Sequence, residues 1–162
     1  MTALVRPYQA EDCAACWAVF HRAVQIGARN HYTEAQRNAW SPSMPRPTRS
    51  RCARLMQAMT LVACDPVDNT VIGFMSLLGD GHLDMAFVEP DRMGRGVAGM
   101  LHDGILARAR ENGLTRLTTD ASHLARPFLM RRGWRVIAPE TIGRKGIELE
   151  RFRMDLQIGD RQ

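Results

Sequence analysis

Apolar positions along this chain keep a helical spacing over its first third and then shorten to strand-like runs. Between residues 13 and 26, Trp17, Phe20 and Val24 recur at i, i+3 and i+7, which lines one helical face. Asp12 stands where an N-cap belongs. A short apolar run at 2–5, ahead of Arg6-Pro7, predicts a strand. Thr33-Glu34-Ala35-Gln36 opens a second helix that reaches Trp40, where Ser41-Pro42 stops it. Pro42, Pro45 and Pro47 then make residues 42–49 an irregular loop, and 50–59 returns to a helical pattern.

Beyond residue 60 the runs become short and apolar. Residues 61–64 and 71–77 read as two strands around an Asp65-Pro66-Val67-Asp68-Asn69 turn, an antiparallel hairpin. A third strand covers 83–88, and a long amphipathic helix runs from 96 to 112 with Gly113 as its C-cap. A strand at 116–121, a short helix at 124–132, a strand at 134–138 and an alternating strand at 148–156 complete the order. One strand–helix–strand crossover, around the 96–112 helix, stands among antiparallel neighbours. The expected class is therefore α/β (α+β): a mixed, mostly antiparallel sheet of six or seven strands with helices on both faces.

The length of 162 residues, with 45% hydrophobic and 24% charged positions, is that of one domain spanning 1–162 with a core of its own. No apolar run approaches the roughly 20 residues of a membrane helix, and the N-terminus lacks the features of a signal peptide. A membrane partner is not expected. The formal charge of +5 is almost all arginine, Lys145 being the single lysine. That bias reflects either the codon usage of a G+C-rich genome or an anionic partner, since the guanidinium fork suits phosphate. The run Arg46, Arg49, Arg51 and Arg54 has no interleaved aromatic or base-reading groups, so it reads as a solvated face rather than as a nucleic-acid surface.

Of Cys13, Cys16, Cys52 and Cys64, the first two have C-x-x-C spacing, but no second pair completes a metal set. They fall in an apolar helical run and read as packing residues. The expected setting is reducing and cytoplasmic.

The most informative segment is Val88-Glu89-Pro90-Asp91-Arg92-Met93-Gly94-Arg95-Gly96-Val97-Ala98-Gly99. A strand ends, a turn follows, and glycines open a long helix. Free amides and the helix dipole make such a terminus an anion site, and the glycines let a phosphate approach the backbone. Gly94-x-Gly96-x-x-Gly99 matches the dinucleotide fingerprint in letters, and Asp120 follows at about the right distance. However, five residues separate Val88 from Gly94, and the surrounding elements do not build a doubly wound sheet.

Val88-x-Pro90-x-x-x-Gly94-Arg95-Gly96-Val97-Ala98 instead resembles the acetyl-CoA loop of the GNAT N-acetyltransferase superfamily, written Q/R-x-x-G-x-G/A. Met93 stands where that motif has Gln or Arg. Phe128-Leu129-x-x-Arg132-Gly133-Trp134 resembles the family's closing Gly-Phe segment, and Tyr32-Thr33-x-x-Gln36-x-x-x-Trp40 is similar to uncharacterised bacterial members. The resemblance implies acetyl transfer from acetyl-CoA to a small-molecule or peptide amine in a ternary complex. It implies that Phe87 and Val88 bond the pantetheine arm. Met93, Gly94, Arg95, Gly96, Val97, Ala98 and Gly99 would hold the pyrophosphate. His31, Tyr32 and Glu34 fall in the region that lines the acceptor site in this family.

The acid that many members place four residues before the Gly of Gly-Phe is a tyrosine; here that position is Leu129. Asp84, Ser122 and His123 are the candidates for proton transfer, Asp84 because burial in a sheet raises a carboxyl pKa. Ser122 serves equally well as a helix cap, and His123 as an exposed or capping residue. Leu129 also keeps open a non-catalytic acyl-CoA-binding module. His21 and His102 fall on helices and read as surface or packing residues. An exposed edge strand near the C-terminus leaves room for a homodimer.

Overall fold

In chain order, the computed structural model, which describes residues 2–159, builds β1 (Leu4–Pro7), α1 (Cys13–Arg22), α2 (Glu34–Trp40), α3 (Arg49–Gln57), β2 (Met59–Cys64), β3 (Val71–Leu77) and β4 (His82–Val88). Then come α4 (Val97–Glu111), β5 (Arg116–Ala121), α5 (Arg126–Arg131), β6 (Arg135–Arg144) and β7 (Ile147–Gln157). The seven strands form one sheet in the order β1-β2-β3-β4-β5-β7-β6. Every neighbouring pair is antiparallel except β4 and β5. This is the mixed, mostly antiparallel sheet that the pattern predicted.

Both faces of the sheet are covered, which is why the central strands read as unbroken apolar runs. In β2, Leu61 and Ala63 join a core with Val97, Leu101, Ile105 and Ala109 of α4. Val62 and Cys64 face the other way, into a core with Cys16, Trp17 and Val19 of α1 and Leu55 of α3.

Local chemistry explains the helix starts. Thr33 caps α2 by accepting from the Gln36 amide at 3.1 Å, while Gln36 Oε1 accepts from the Thr33 amide at 2.9 Å, a reciprocal capping box. Thr48 caps α3 in the same sense. Asp12 does not cap α1. Its carboxylate accepts a fork from Arg6, at 2.7 and 2.9 Å, and a third bond from the Gln9 amide. Burial opposes its ionisation, but the Arg6 fork and that amide hold its pKa below the usual range. The helix expected to reach residue 26 is α-helical to Arg22 and continues as a π-helical turn through Gly27.

Two further expectations are corrected. Cys13 is joined to Cys52 by a disulfide, tying α1 to α3, while Cys16 and Cys64 are free and buried. Reduced packing thus describes only the second pair. β6 runs to Arg144 rather than stopping near 138. Pro139 hid this, yet β6 is the sheet's edge and its pairing with β7 shifts register between Val136 and Ala138, the setting in which a strand tolerates proline. Lys145 and Gly146, both at positive φ (51° and 77°), close the β6–β7 hairpin, as a two-residue turn requires.

Candidate functional site

β4 and β5 are matched at only two positions, His82 with Thr118 and Leu83 with Thr119. On its other side β4 stays paired with β3 up to Val88. From Asp84 to Val88, the backbone groups facing β5 therefore have no strand partner, and a wedge opens in the sheet.

The glycine loop closes the wide end of this wedge. After a 3₁₀ turn at Pro90–Arg92, Gly94 (φ 76°) and Gly96 (φ 84°) adopt left-handed backbone with open space where a side chain would begin. Gly96 is the N-cap of α4 and has no side chain to occupy the amides of Val97, Ala98 and Gly99. The first bond into the helix is from Met100 N to Gly96 O, at 3.1 Å. Those three amides have no acceptor within the helix.

A cleft of about 400 Å³ lies over this terminus. Phe87, Val88, Met93, Gly94, Gly96, Val97, Ala98 and Gly99 all line it, facing Ser122, Leu124, Phe128 and Leu129. Arg95 is exposed and does not line it. The lining cations are Arg92, Arg131 and Arg132. Arg92 is bound to Asp65 at 2.7 Å. Arg132 bonds Asp103 at 2.7 Å and lies over the Phe128 ring, its guanidinium filling the space a Cβ on Gly99 would need. Gly99 therefore serves close packing as much as the loop. No sequence signal pointed to Arg131, and Arg132 was marked only as part of the closing segment, not as a cleft residue.

A second cavity, of about 230 Å³, lies on the α1–α3 side of the wedge. Phe20, Tyr32, Trp40 and Phe87 supply aromatic walls; Arg54, His82, Asp84, Asp120, Arg144, Glu150 and Arg151 supply charge or polarity. Phe87 and Ser122 line both cavities, so the two meet there.

The proton-transfer candidates fare differently. Asp84 lines the cavity, but both its oxygens are held by Arg54, at 2.8 and 3.0 Å. Nor does β4 divide into a polar and an apolar face, because Leu83, Asp84, Met85 and Phe87 all border the same space. A register shift against β3 at Ser76 and Leu77 disrupts the alternation. Ser122 Oγ accepts from the Ala125 amide at 3.1 Å, which leaves its own proton available. His123 is outside the lining; Nε2 meets Glu150 Oε1 at 2.8 Å and its ring packs against Tyr32 and Phe152. Leu129 is 2% exposed, an apolar core residue.

Of the acceptor-side residues, Tyr32 is buried in the cavity wall. Its hydroxyl donates to the Glu150 carbonyl at 2.8 Å and accepts from the His123 amide at 2.9 Å. Burial pushes its pKa above the ordinary tyrosine value. His31 and Glu34 are exposed and outside the cavity. His21 bonds Ser41, whereas His102 is fully buried.

Two cavities thus meet in the opened sheet, and comparison with known proteins shows the family that builds it. Residues 28–156 match the family described as the acetyltransferase (GNAT) domain, and the chain belongs to that family of N-acetyltransferases. It is 30% identical over 150 residues to the uncharacterized N-acetyltransferase YafP of Escherichia coli K12, covering 93% of each chain. A GCN5-related N-acetyltransferase from Rhodopseudomonas palustris shares 32% identity and superposes with a TM-score of 0.87 over 97% of this chain and 96% of its own. YncA of Salmonella typhimurium, solved with acetyl-CoA, has the same fold at 19% identity, with a TM-score of 0.72 over 100% of this chain and 97% of its own.

Proposed function

We propose that this single domain transfers the acetyl group of acetyl-CoA directly to an amine, both substrates being bound at once. The observation that carries this reading is the meeting of the two cavities at Phe87 and Ser122. An acyl carbon at that junction is open to attack from the aromatic and charged side.

The residues fit the donor. Unpaired amides at the start of α4, together with the helix dipole, suit a diphosphate, and Gly94 and Gly96 leave it room. The unpartnered backbone of β4 near Phe87 and Val88 can bond the amide-bearing arm as a further strand would. A fixed amide there also suits a developing oxyanion. Bringing the two reactants together supplies much of the remaining acceleration. With Leu129 in place of a tyrosine, Ser122 is the hydroxyl best placed to donate to the departing sulfur. Asp84, neutralised by Arg54, shapes the cavity instead of taking a proton. Leu129 is also what favours the second reading, a module that binds acyl-CoA without turnover.

Thermal unfolding with acetyl-CoA, with coenzyme A and with NAD tests the proposal. Ligand at 100 times its Kd stabilises by about 2.7 kcal/mol, so acetyl-CoA raises Tm by roughly 5–10 °C and NAD leaves it unchanged. Release of free thiol with an amine panel then separates the enzyme from the silent binder.

A further inference from the structure

We propose that Asp120, coupled to His82, binds the acceptor's ammonium group and takes its proton. The assignment rests on the reading above, and it concerns a carboxylate that no motif singled out for this role.

β5 alternates strictly. Leu117, Thr119 and Ala121 are buried, while Thr118 and Asp120 turn to the open side and Ser122 follows in the same phase. Asp120 and Ser122 both border the cavity. Residues two apart on one face of a strand are separated by roughly 6.5–7 Å. A nitrogen bonded to the Asp120 carboxylate thus lies within one side-chain length of the junction at Ser122, where the acyl carbon belongs.

Among the described residues, three carboxylates border this cavity, and one of them makes no hydrogen bond. Asp84 is held by both arms of Arg54, and Glu150 meets His123 at 2.8 Å. Asp120 accepts no hydrogen bond among the described residues; the nearest basic nitrogens are His82 Nε2 at 3.6 Å and Arg151 Nη2 at 4.0 Å. Arg151 is itself committed to Glu140 at 2.9 Å.

His82 is arranged to complement it. Its Nδ1 lies 2.9 Å from Thr118 Oγ1. With the proton on Nδ1 donated to that hydroxyl, Nε2 presents a lone pair toward Asp120 Oδ2. Two acceptors facing each other at 3.6 Å form a receptacle for one proton or one ammonium N–H. The charged groups bordering the same space are Asp84 of β4, Arg54 of α3, Arg144 of β6, and Glu150 and Arg151 of β7.

The step balances as follows. R–NH₃⁺ docks on Asp120 and gives one proton through the carboxylate to His82 Nε2. The freed lone pair forms the N–C bond with the acetyl carbon, and the C–S bond breaks. A second nitrogen proton passes to the departing sulfur, giving the amide and the free thiol, and His82 returns its proton to solvent.

The test uses D120N and H82Q in the full chain. Acetyl transfer is measured by thiol release with primary amines from ethylamine to phenylethylamine and lysine, and with hydroxylamine, which is already neutral at pH 7. D120N lowers kcat/KM for the amines at least 100-fold, the scale of a lost general base, and lowers hydroxylamine transfer less than tenfold. H82Q falls between wild type and D120N. In D120N the pH at which transfer to an amine sets in moves up toward the amine's own deprotonation, near 10.4 for a lysine-type amine. Equal losses with both kinds of nucleophile, an unmoved pH profile, or full amine activity in D120N each overturn the assignment. So does a wild-type protein that binds acetyl-CoA and acetylates no amine. Failure of the wild type to bind acetyl-CoA overturns instead the reading beneath it. Acetyl-CoA affinity and Tm, measured on each variant, show that the fold is kept.

Discussion

Arg54 grips Asp84 with two parallel hydrogen bonds, Nε to Oδ2 at 2.8 Å and Nη2 to Oδ1 at 3.0 Å, joining α3 to β4 beside the aromatic-walled cavity. The same guanidinium sits 5.7 Å from the centre of the Trp17 ring. A forked pair of this kind fixes geometry as well as charge. Because Arg54 is about half exposed, its loss costs the fold no more than about 1 kcal/mol. R54Q, measured by steady-state kinetics, raises the acceptor KM about tenfold, while acetyl-CoA affinity stays within twofold of wild type.

Replacing Gly96 by Glu places a carboxylate where the donor's diphosphate belongs. Space at this position is open, so the cost to folding is the strain of a left-handed residue, about 1–2 kcal/mol. Calorimetric titration finds no coenzyme A binding to G96E, whereas G96A, bearing the same strain without the charge, still binds. Unchanged affinity in G96E removes the diphosphate from this loop.

Trp134 Nε1 donates to His102 Nε2 at 2.9 Å inside the core, which requires a neutral ring with an unprotonated Nε2. Burial, reinforced by Arg132, pushes the His102 pKa down to about 4. The unfolded chain therefore binds a proton more readily than the folded one. The stabilising contribution is complete above the unfolded pKa near 6.5 and is lost as pH falls toward 4, roughly 3 kcal/mol in all. Urea midpoints fall over that window in the wild type, and H102Q shows a flatter profile.

The Cys13–Cys52 disulfide closes a loop with a sequence separation of 39. In the chain-entropy account a loop of that length stabilises by about 3–4 kcal/mol. C52S, or the wild type in strong reductant, melts about 10 °C lower. Because α3 carries Arg54, the acceptor KM rises with it, while coenzyme A binding, on the other face of the wedge, changes less.

The glycine loop was legible because its signal is local. Gly94, Gly96 and Gly99 mark backbone that must turn and be approached, and nothing distant is needed to read that. The helix start at Thr33 is local in the same way. The second cavity was legible only in part because it is assembled across long separations. The Tyr32 hydroxyl finds the Glu150 carbonyl 118 residues away, so Tyr32 lines the cavity while its sequence neighbours His31 and Glu34 do not. Arg54 was one of four arginines in a solvated-looking run until folding set it opposite Asp84. Asp120 first drew notice through a dinucleotide pattern the fold does not contain; its place two residues before Ser122 gives it meaning only once β5 is known to be splayed from β4. Cys13 was matched by spacing with Cys16, one helical turn away, but its partner sits on another helix.

The ladder between β4 and β5 matches only two residue pairs, so the sheet reads as two half-sheets, four strands and three, sharing a narrow seam. A molecule lying in that seam touches both halves and supplies the rungs the chain itself omits. On the proposed reading, grip on the donor and cohesion of the sheet are one quantity, because the same backbone groups of β4 serve both.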